Sequence, residues 1–359
     1  MRGFSGYGAV FLLLSLGSVF PALPSGLTYT CDSVATDPGY VDPTTCNYLN
    51  ITIAGLYNST FSNLTANIYI SYGVIGGLAE STTQFNLVSY SSYLSALTAS
   101  AGNSTLDVDA LSALNSLDTS VYGSGNVNVT NALGTALGLT GMEGLTASDN
   151  TCFQLNSGCY SGLITVSTPA NLNSQASGQT LWYRNTGSQP SNSYDFYSAV
   201  EHETDEILGT ASCVGTGKNG SLVDSCGSGV PSAVDLFRYS AAGQLVPVSS
   251  LTMATGAYFS YNGGVSNGAE GAVYNTAAGQ DYADFTNNCQ FVQDSKACLG
   301  QSFDITNDGG AEINILNAEG FNLNTPEPST VGMMGLGFTT IGAVARRRRR
   351  SSGKIPATL

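Results

Sequence analysis

The stretch YDFYSAVEHETDEILG, residues 194–209, decides the fold. Its periodicity predicts a helix over Tyr194–Leu208, the best in the chain. Asn192 or Ser193 can cap it, Asp195 suits its positive end, and Gly209 can close it in a left-handed turn. At 100° per residue, Phe196, Val200, Thr204 and Ile207 form one stripe that should face a core. His202, the only histidine in the protein, and Glu206 lie one turn apart on another face, with Glu203 between. This is how an H-E-x-x-H helix presents two metal ligands and a carboxylate base, with Glu206 here in place of the second histidine. Zinc accepts carboxylate oxygen, so the exchange is chemically sound. Glu201, Glu203, Asp205 and Glu206 also put four acids into six residues, and the nearest basic residues, Arg184 and Lys218, are distant in sequence. Like charges at these spacings cost a helix about 0.2–0.5 kcal/mol per pair. A bound cation, zinc or calcium, or a protonated His202 would relieve them.

Outward from that helix, the chain reads as a mixture of strands and helices. Leu64, Ala66, Ile68, Ile70, Tyr72 and Val74 alternate cleanly and predict a strand over Leu64–Val74. Further strands are expected at Phe85–Ser89, Gly162–Thr168, Gln179–Arg184, Ala257–Tyr261 and Glu312–Leu316. Helical spacing appears over Tyr90–Leu97, Val108–Val121 and Asn131–Leu139, with a weaker helix over Asn47–Asn63. Leu27–Cys46 reads as a tethered N-terminal arm. The sum is one α+β domain, residues 27–323, with a loop-rich C-terminal half.

Both ends are targeting segments. Met1-Arg2, an apolar run over Ala9–Phe20 and small residues to Gly26 describe a secretory signal peptide over residues 1–26, handled by the Sec translocon. The run is too short to span a bilayer, which takes about 20 apolar residues. At the other end, Pro326-Glu327-Pro328 precedes an apolar helix over Ser329–Ala345 and five arginines, Arg346–Arg350. An apolar helix stopped by a basic cluster holds that cluster, and the tail over residues 351–359, in the cytoplasm. The string TPEPSTVGMMGLGFTTIGAVARRRRR closely resembles the PEP-CTERM sorting signal, here residues 324–350. That resemblance implies an exosortase as partner, cutting near Pro326–Pro328 and releasing the protein to the cell surface or beyond.

Over residues 27–328 the charge is strongly acidic: Arg184, Lys218, Arg238 and Lys296 against 25 Asp and Glu, a net −21. Such a surface repels phosphate backbones, which excludes nucleic acid as a partner. Eight cysteines fall in four local couples, Cys31/Cys46, Cys152/Cys159, Cys213/Cys226 and Cys289/Cys298, separated by 15, 7, 13 and 9 residues. An even count in an exported chain predicts disulfides, nearest-neighbour pairing being the simplest connectivity.

The stretches VSYSSYLSAL (88–97), YDFYSAVEHETDEILG (194–209), VDLFRYSAAG (234–243), AYFSYNGG (257–264), DYADF (281–285) and AEGFNL (318–323) resemble a family of PEP-CTERM proteins classed as metalloproteases. The resemblance implies a zincin or metzincin-like fold, a mixed sheet packed on the motif helix, with zinc as cofactor and peptide hydrolysis as activity. Against the metzincin pattern HExxHxxGxxH, His202, Glu203 and Gly209 match, while Glu206 and Ser212 stand where the second and third histidines would be. On ligand chemistry Asp235 is the preferred third ligand; its structural reading is a turn or strand-start residue pairing with Arg238. The expected enzyme thus holds zinc on His202, Glu206 and Asp235, with Glu203 as base. Two other readings stay open. One is a non-catalytic surface or matrix protein that keeps the fold, its acidic Ser/Thr/Asn-rich surface suited to hydrated extracellular polysaccharide. The other is a calcium-stabilised adhesive module.

Overall fold

A computed structural model describes residues 26–102, 104–117, 125–153, 158–175, 177–213, 230–246, 256–269, 272–276, 281–286, 289–306 and 310–324. The signal segment, the Pro326-Glu327-Pro328 motif and the apolar stretch after it lie outside these residues. Among the described residues no helix is long and apolar enough to cross a membrane.

The chain begins with strand β1 (Gly26–Cys31), then α1 (Pro43–Tyr48), a π-helical turn over Leu49–Ile53, and α2 (Ala54–Thr60). Three strands follow, β2 (Thr65–Gly73), β3 (Ala79–Thr83) and β4 (Phe85–Ser89), then helices α3 (Tyr90–Ser100) and α4 (Thr105–Asn115). Next come β5 (Asn126–Thr130), α5 (Asn131–Ala136), β6 (Glu143–Leu145), β7 (Thr151–Phe153), β8 (Gly162–Ser167) and α6 (Pro169–Gln175). Strands β9 (Thr180–Trp182) and β10 (Ser193–Asp195) lead into α7 (Phe196–Asp205), which continues as a π-helical turn over Glu206–Thr210. The remainder carries β11 (Arg238–Ala241), β12 (Gln244–Leu245), β13 (Tyr258–Phe259) and α8 (Ala311–Glu319).

The main sheet is mixed, in the order β1-β2-β8-β3. β1, β2 and β8 run parallel, and β3 closes the edge antiparallel to β8. The alternation read in β2 is the physical basis of this layer: Leu64, Ala66, Ile68 and Ile70 are all buried on one face. Helix α7 packs across β8 and β3. Its approach is close because residue 162 is glycine; a β-carbon there would lie 2.7 Å from the Ile207 side chain. Phe196, Val200, Thr204 and Ile207 face the core as expected, but Tyr197, Glu201, Asp205 and Leu208 are buried too. The helix is therefore enclosed on most sides, with polar anchors where its polar residues would otherwise be stranded. The Tyr29 hydroxyl lies 2.8 Å from Thr204 Oγ1, and the Tyr57 hydroxyl donates to Asp205 Oδ1 at 2.7 Å. Arg184 Nε meets Asp195 at 2.7 Å, and its Nη1 reaches Glu201 at 3.4 Å.

Several sequence expectations change. Leu27–Cys46 is no appendage: β1 pairs along its length with β2, while the Cys31–Cys46 disulfide ties it to α1. The cap of α7 is Asp195, whose carboxylate accepts from Tyr197 N at 3.0 Å, because residues 193–195 are themselves extended as β10. Glu312–Leu316 belongs to helix α8 rather than a strand. A helix buried on several faces loses the polar stripe that distinguishes its period from a strand's. Cys152–Cys159 and Cys289–Cys298 are bonded as predicted. Cys213 is disulfide-bonded as well, and its expected partner Cys226 lies outside the described residues.

Candidate metal centre

α7 and the segment 281–294 converge on three ligand atoms, from His202, Glu206 and Asp284, all within 4.8 Å of one another. His202 Nε2 is 3.6 Å from Glu206 Oε1 and 3.6 Å from Asp284 Oδ1. Four tetrahedral bonds of about 2.1 Å place neighbouring ligand atoms about 3.4 Å apart, close to both spacings from His202 Nε2. The imidazole is aimed correctly for a zinc ion. Nδ1 lies 2.9 Å from the Val292 carbonyl oxygen, which can only accept, so Nδ1 carries a proton and Nε2 is the ring nitrogen that could take a metal. The other two ligands are oriented in the same manner. Ser81 Oγ, on β3, donates to Glu206 Oε2, and Gln293 Nε2 donates to Asp284 Oδ1 at 3.3 Å. Outer partners of this kind fix ligand geometry and are worth about 10–100-fold in metal affinity. The His202, Glu206 and Asp284 side chains keep 17%, 12% and 9% exposure, so the group is largely enclosed yet retains some contact with solvent.

Electrostatics match the geometry. Without metal, burial disfavours the His202 cation, yet Asp284, Glu206 and Glu203 outweigh it and hold the imidazole well above its ordinary range. Burial also opposes ionisation of Glu206, but His202 and Ser81 pull its carboxyl below the usual value. Asp284 is pushed up to about 7 by burial and by Glu206. Glu203, 7% exposed, is raised well above the carboxylate range by burial and by Glu206, with which it shares a hydrogen bond. Asp281 is raised by burial, Glu206 and Asp284, and is held by the backbone N–H groups of Ser212 and Ala283. A divalent cation held there would offset the same acids that raise His202.

The structure brings together His202, Glu203 and Glu206 as the spacing implied, but it does not bring Asp235 to them. Asp235 Oδ1 accepts from Ser212 Oγ at 2.6 Å, and Oδ2 accepts from Cys213 N, Ser232 N and Ser232 Oγ at 2.9, 2.9 and 2.8 Å. Arg238 Nη2 stands 3.4 Å from the same carboxylate. These donors saturate it as the centre of a buried turn. Sequence reasoning missed Asp284, although DYADF was one of the resembling stretches. The available signal was an acid flanked by Tyr282, Ala283 and Phe285, all three buried.

A further buried acid sets a pH dependence. Glu312, 0% exposed, accepts Gln293 N–H at 3.0 Å, and burial raises it from 4.5 to about 7. Between those values the folded chain binds the proton and the unfolded chain does not, so stability is full below pH 4.5 and falls as pH rises to about 7. The shift corresponds to about 3 kcal/mol. Metal-free protein should thus resist urea better at pH 5 than at pH 8, and Glu312→Gln, which still accepts the Gln293 N–H, should flatten that difference by about this amount.

A family model of the PEP-CTERM protein-sorting motif matches residues 324–350. The motif implies export, with the C-terminus held in the membrane until exosortase cleavage. No curated protein and no solved structure matches the chain.

Proposed function

We propose that this exported, exosortase-processed protein is a zinc-dependent peptidase, with His202, Glu206 and Asp284 as metal ligands and Glu203 as general base. The observation that carries the reading is His202: its Nδ1 is fixed on the Val292 carbonyl, and its Nε2 lies 3.6 Å from each of two carboxylates. Zinc held there supplies a polarised water and a Lewis acid for the scissile carbonyl. Glu203, the residue between the two helix ligands, would serve as the base that accepts a proton from the attacking water and as the acid that returns it to the departing amine. Its hydrogen bond to Glu206 keeps it beside the ligands. β3 supports a peptide substrate in particular. It is the terminal strand of the sheet, and its Ser81 touches Glu206, so its outer edge can bind an extended chain through backbone hydrogen bonds next to the metal.

Metal analysis of the purified mature chain tests the proposal. About one zinc per chain is expected by mass spectrometry, lost in His202→Ala, as four-coordinate sites with three protein ligands require. No metal in the parent protein after growth with zinc removes the enzyme reading.

A further inference from the structure

Two of the three proposed ligands are held by one short segment, and that segment is closed by a disulfide. Cys289 and Cys298, separated by 9 residues, bracket Val292 and Gln293. Val292 supplies the carbonyl on His202 Nδ1, and Gln293 supplies the amide on Asp284. The bracketed residues form no helix or strand. They are shaped instead by Asp294 Oδ2, which accepts from Gln290 N and Phe291 N at 2.8 and 3.1 Å. Phe285 N donates to Gln293 O at 2.8 Å and Ser295 N to Phe285 O at 3.0 Å, which lays the segment against the residue following Asp284. Cys289 adopts φ 70°, a left-handed conformation that a side chain with a β-carbon takes only where its surroundings impose it. Both cysteines are partly exposed, within reach of thiol reagents.

We infer that the Cys289–Cys298 disulfide is a redox latch on the metal centre: zinc is bound tightly only once this bridge has formed. The inference rests on the zinc reading above. In forming the bridge, the two thiols give up two electrons and two protons to a disulfide-bearing thiol oxidant, which leaves as its dithiol. Such oxidants act outside the cytoplasm, where the sorting motif sends the chain, whereas cytosolic thiols stay reduced. The bridge, and with it the tight site, therefore forms after export. The other described disulfides have no comparable position, since Cys31–Cys46 joins β1 to α1 and Cys152–Cys159 lies beside the β6–β7 pair.

The test compares three forms of the mature chain: the oxidised parent, Cys289→Ser/Cys298→Ser, and Cys152→Ser/Cys159→Ser as control. Zinc affinity is measured by competition with a chromophoric chelator. Because His202 is the only histidine, its Nδ1–H gives an unambiguous nitrogen-edited NMR signal in metal-free protein. The latch requires zinc affinity at least about 10-fold weaker in Cys289→Ser/Cys298→Ser, the size expected for losing the outer partners of the ligands. The Nδ1–H signal should be lost to exchange in that variant alone, while the rest of its spectrum stays dispersed. Parent-like affinity in that variant, or an equal loss in the control, overturns the latch. So does a variant whose dispersed spectrum collapses altogether, which would make the bridge a support of the whole fold. An oxidised parent that takes up no zinc while showing the Nδ1–H signal refutes the metal reading itself, a separate failure.

Discussion

Glu203→Gln is expected to lower hydrolysis of a denatured protein substrate by about 10²–10⁴-fold, the usual contribution of a positioned general base, with zinc content staying near one per chain. The two outcomes separate because Glu203 is adjacent to the ligands without being one of the three atoms that converge. In the metal-free protein burial, the Glu206 charge and their shared hydrogen bond raise the Glu203 carboxyl well above its ordinary range. Metal binding engages the Glu206 carboxylate and places a positive charge nearby, and both changes favour release of the Glu203 proton. The substitution keeps the geometry, since a glutamine amide N–H donates to Glu206 as the protonated acid does. A loss of rate with retained metal and an unchanged unfolding midpoint identifies the base. Full activity in Glu203→Gln rules Glu203 out as that base. Loss of zinc together with activity assigns it instead to holding the ligands.

How far the sequence could lead depended on whether a signal was local. The helix with His202 was readable because its apolar stripe, its breaking glycine and its acids all lie within sixteen consecutive residues, 194–209. The cysteine couples were readable for the same reason: loops of 7 to 15 residues close easily. Strand β3 was not, since Ala-Glu-Ser-Thr-Thr has no apolar alternation and is placed by backbone pairing with β8. Yet β3 supplies the hydroxyl that orients Glu206. Asp284 was hidden by distance: it lies 82 residues from His202, in a segment without regular structure, among many other acids. Asp235 misled because ligand chemistry ignores competition, and its near neighbours Ser232 and Arg238 already occupy it. Local pattern thus gave one half of the centre, and tertiary packing alone gave the other.

The sharpest contrast is between those two aspartates. Asp235→Ala is expected to destabilise the protein by about 3–5 kcal/mol, because it strands the Arg238 guanidinium, which is 0% exposed, without its carboxylate. Arg238 would retain its stacking over the Tyr274 ring, 4.0 Å from the centroid, and a 3.4 Å bond to Ser212 Oγ, while Ser232 and Ser212 would lose the carboxylate as acceptor. Asp284→Ala should behave differently. It removes an acid that burial and Glu206 disfavour and His202 and Gln293 favour, so these effects largely offset and the metal-free protein loses far less stability than in Asp235→Ala. Zinc uptake, however, should be lost, as one of three protein ligands is gone. Urea unfolding and metal analysis on both variants read the two effects separately. Zinc lost in Asp235→Ala with the unfolding midpoint unchanged would return Asp235 to the centre and displace Asp284. Because burial and hydrogen bonding already commit every lone pair of Asp235 that faces a donor, the expected loss there is of the fold, and at Asp284 of the ion.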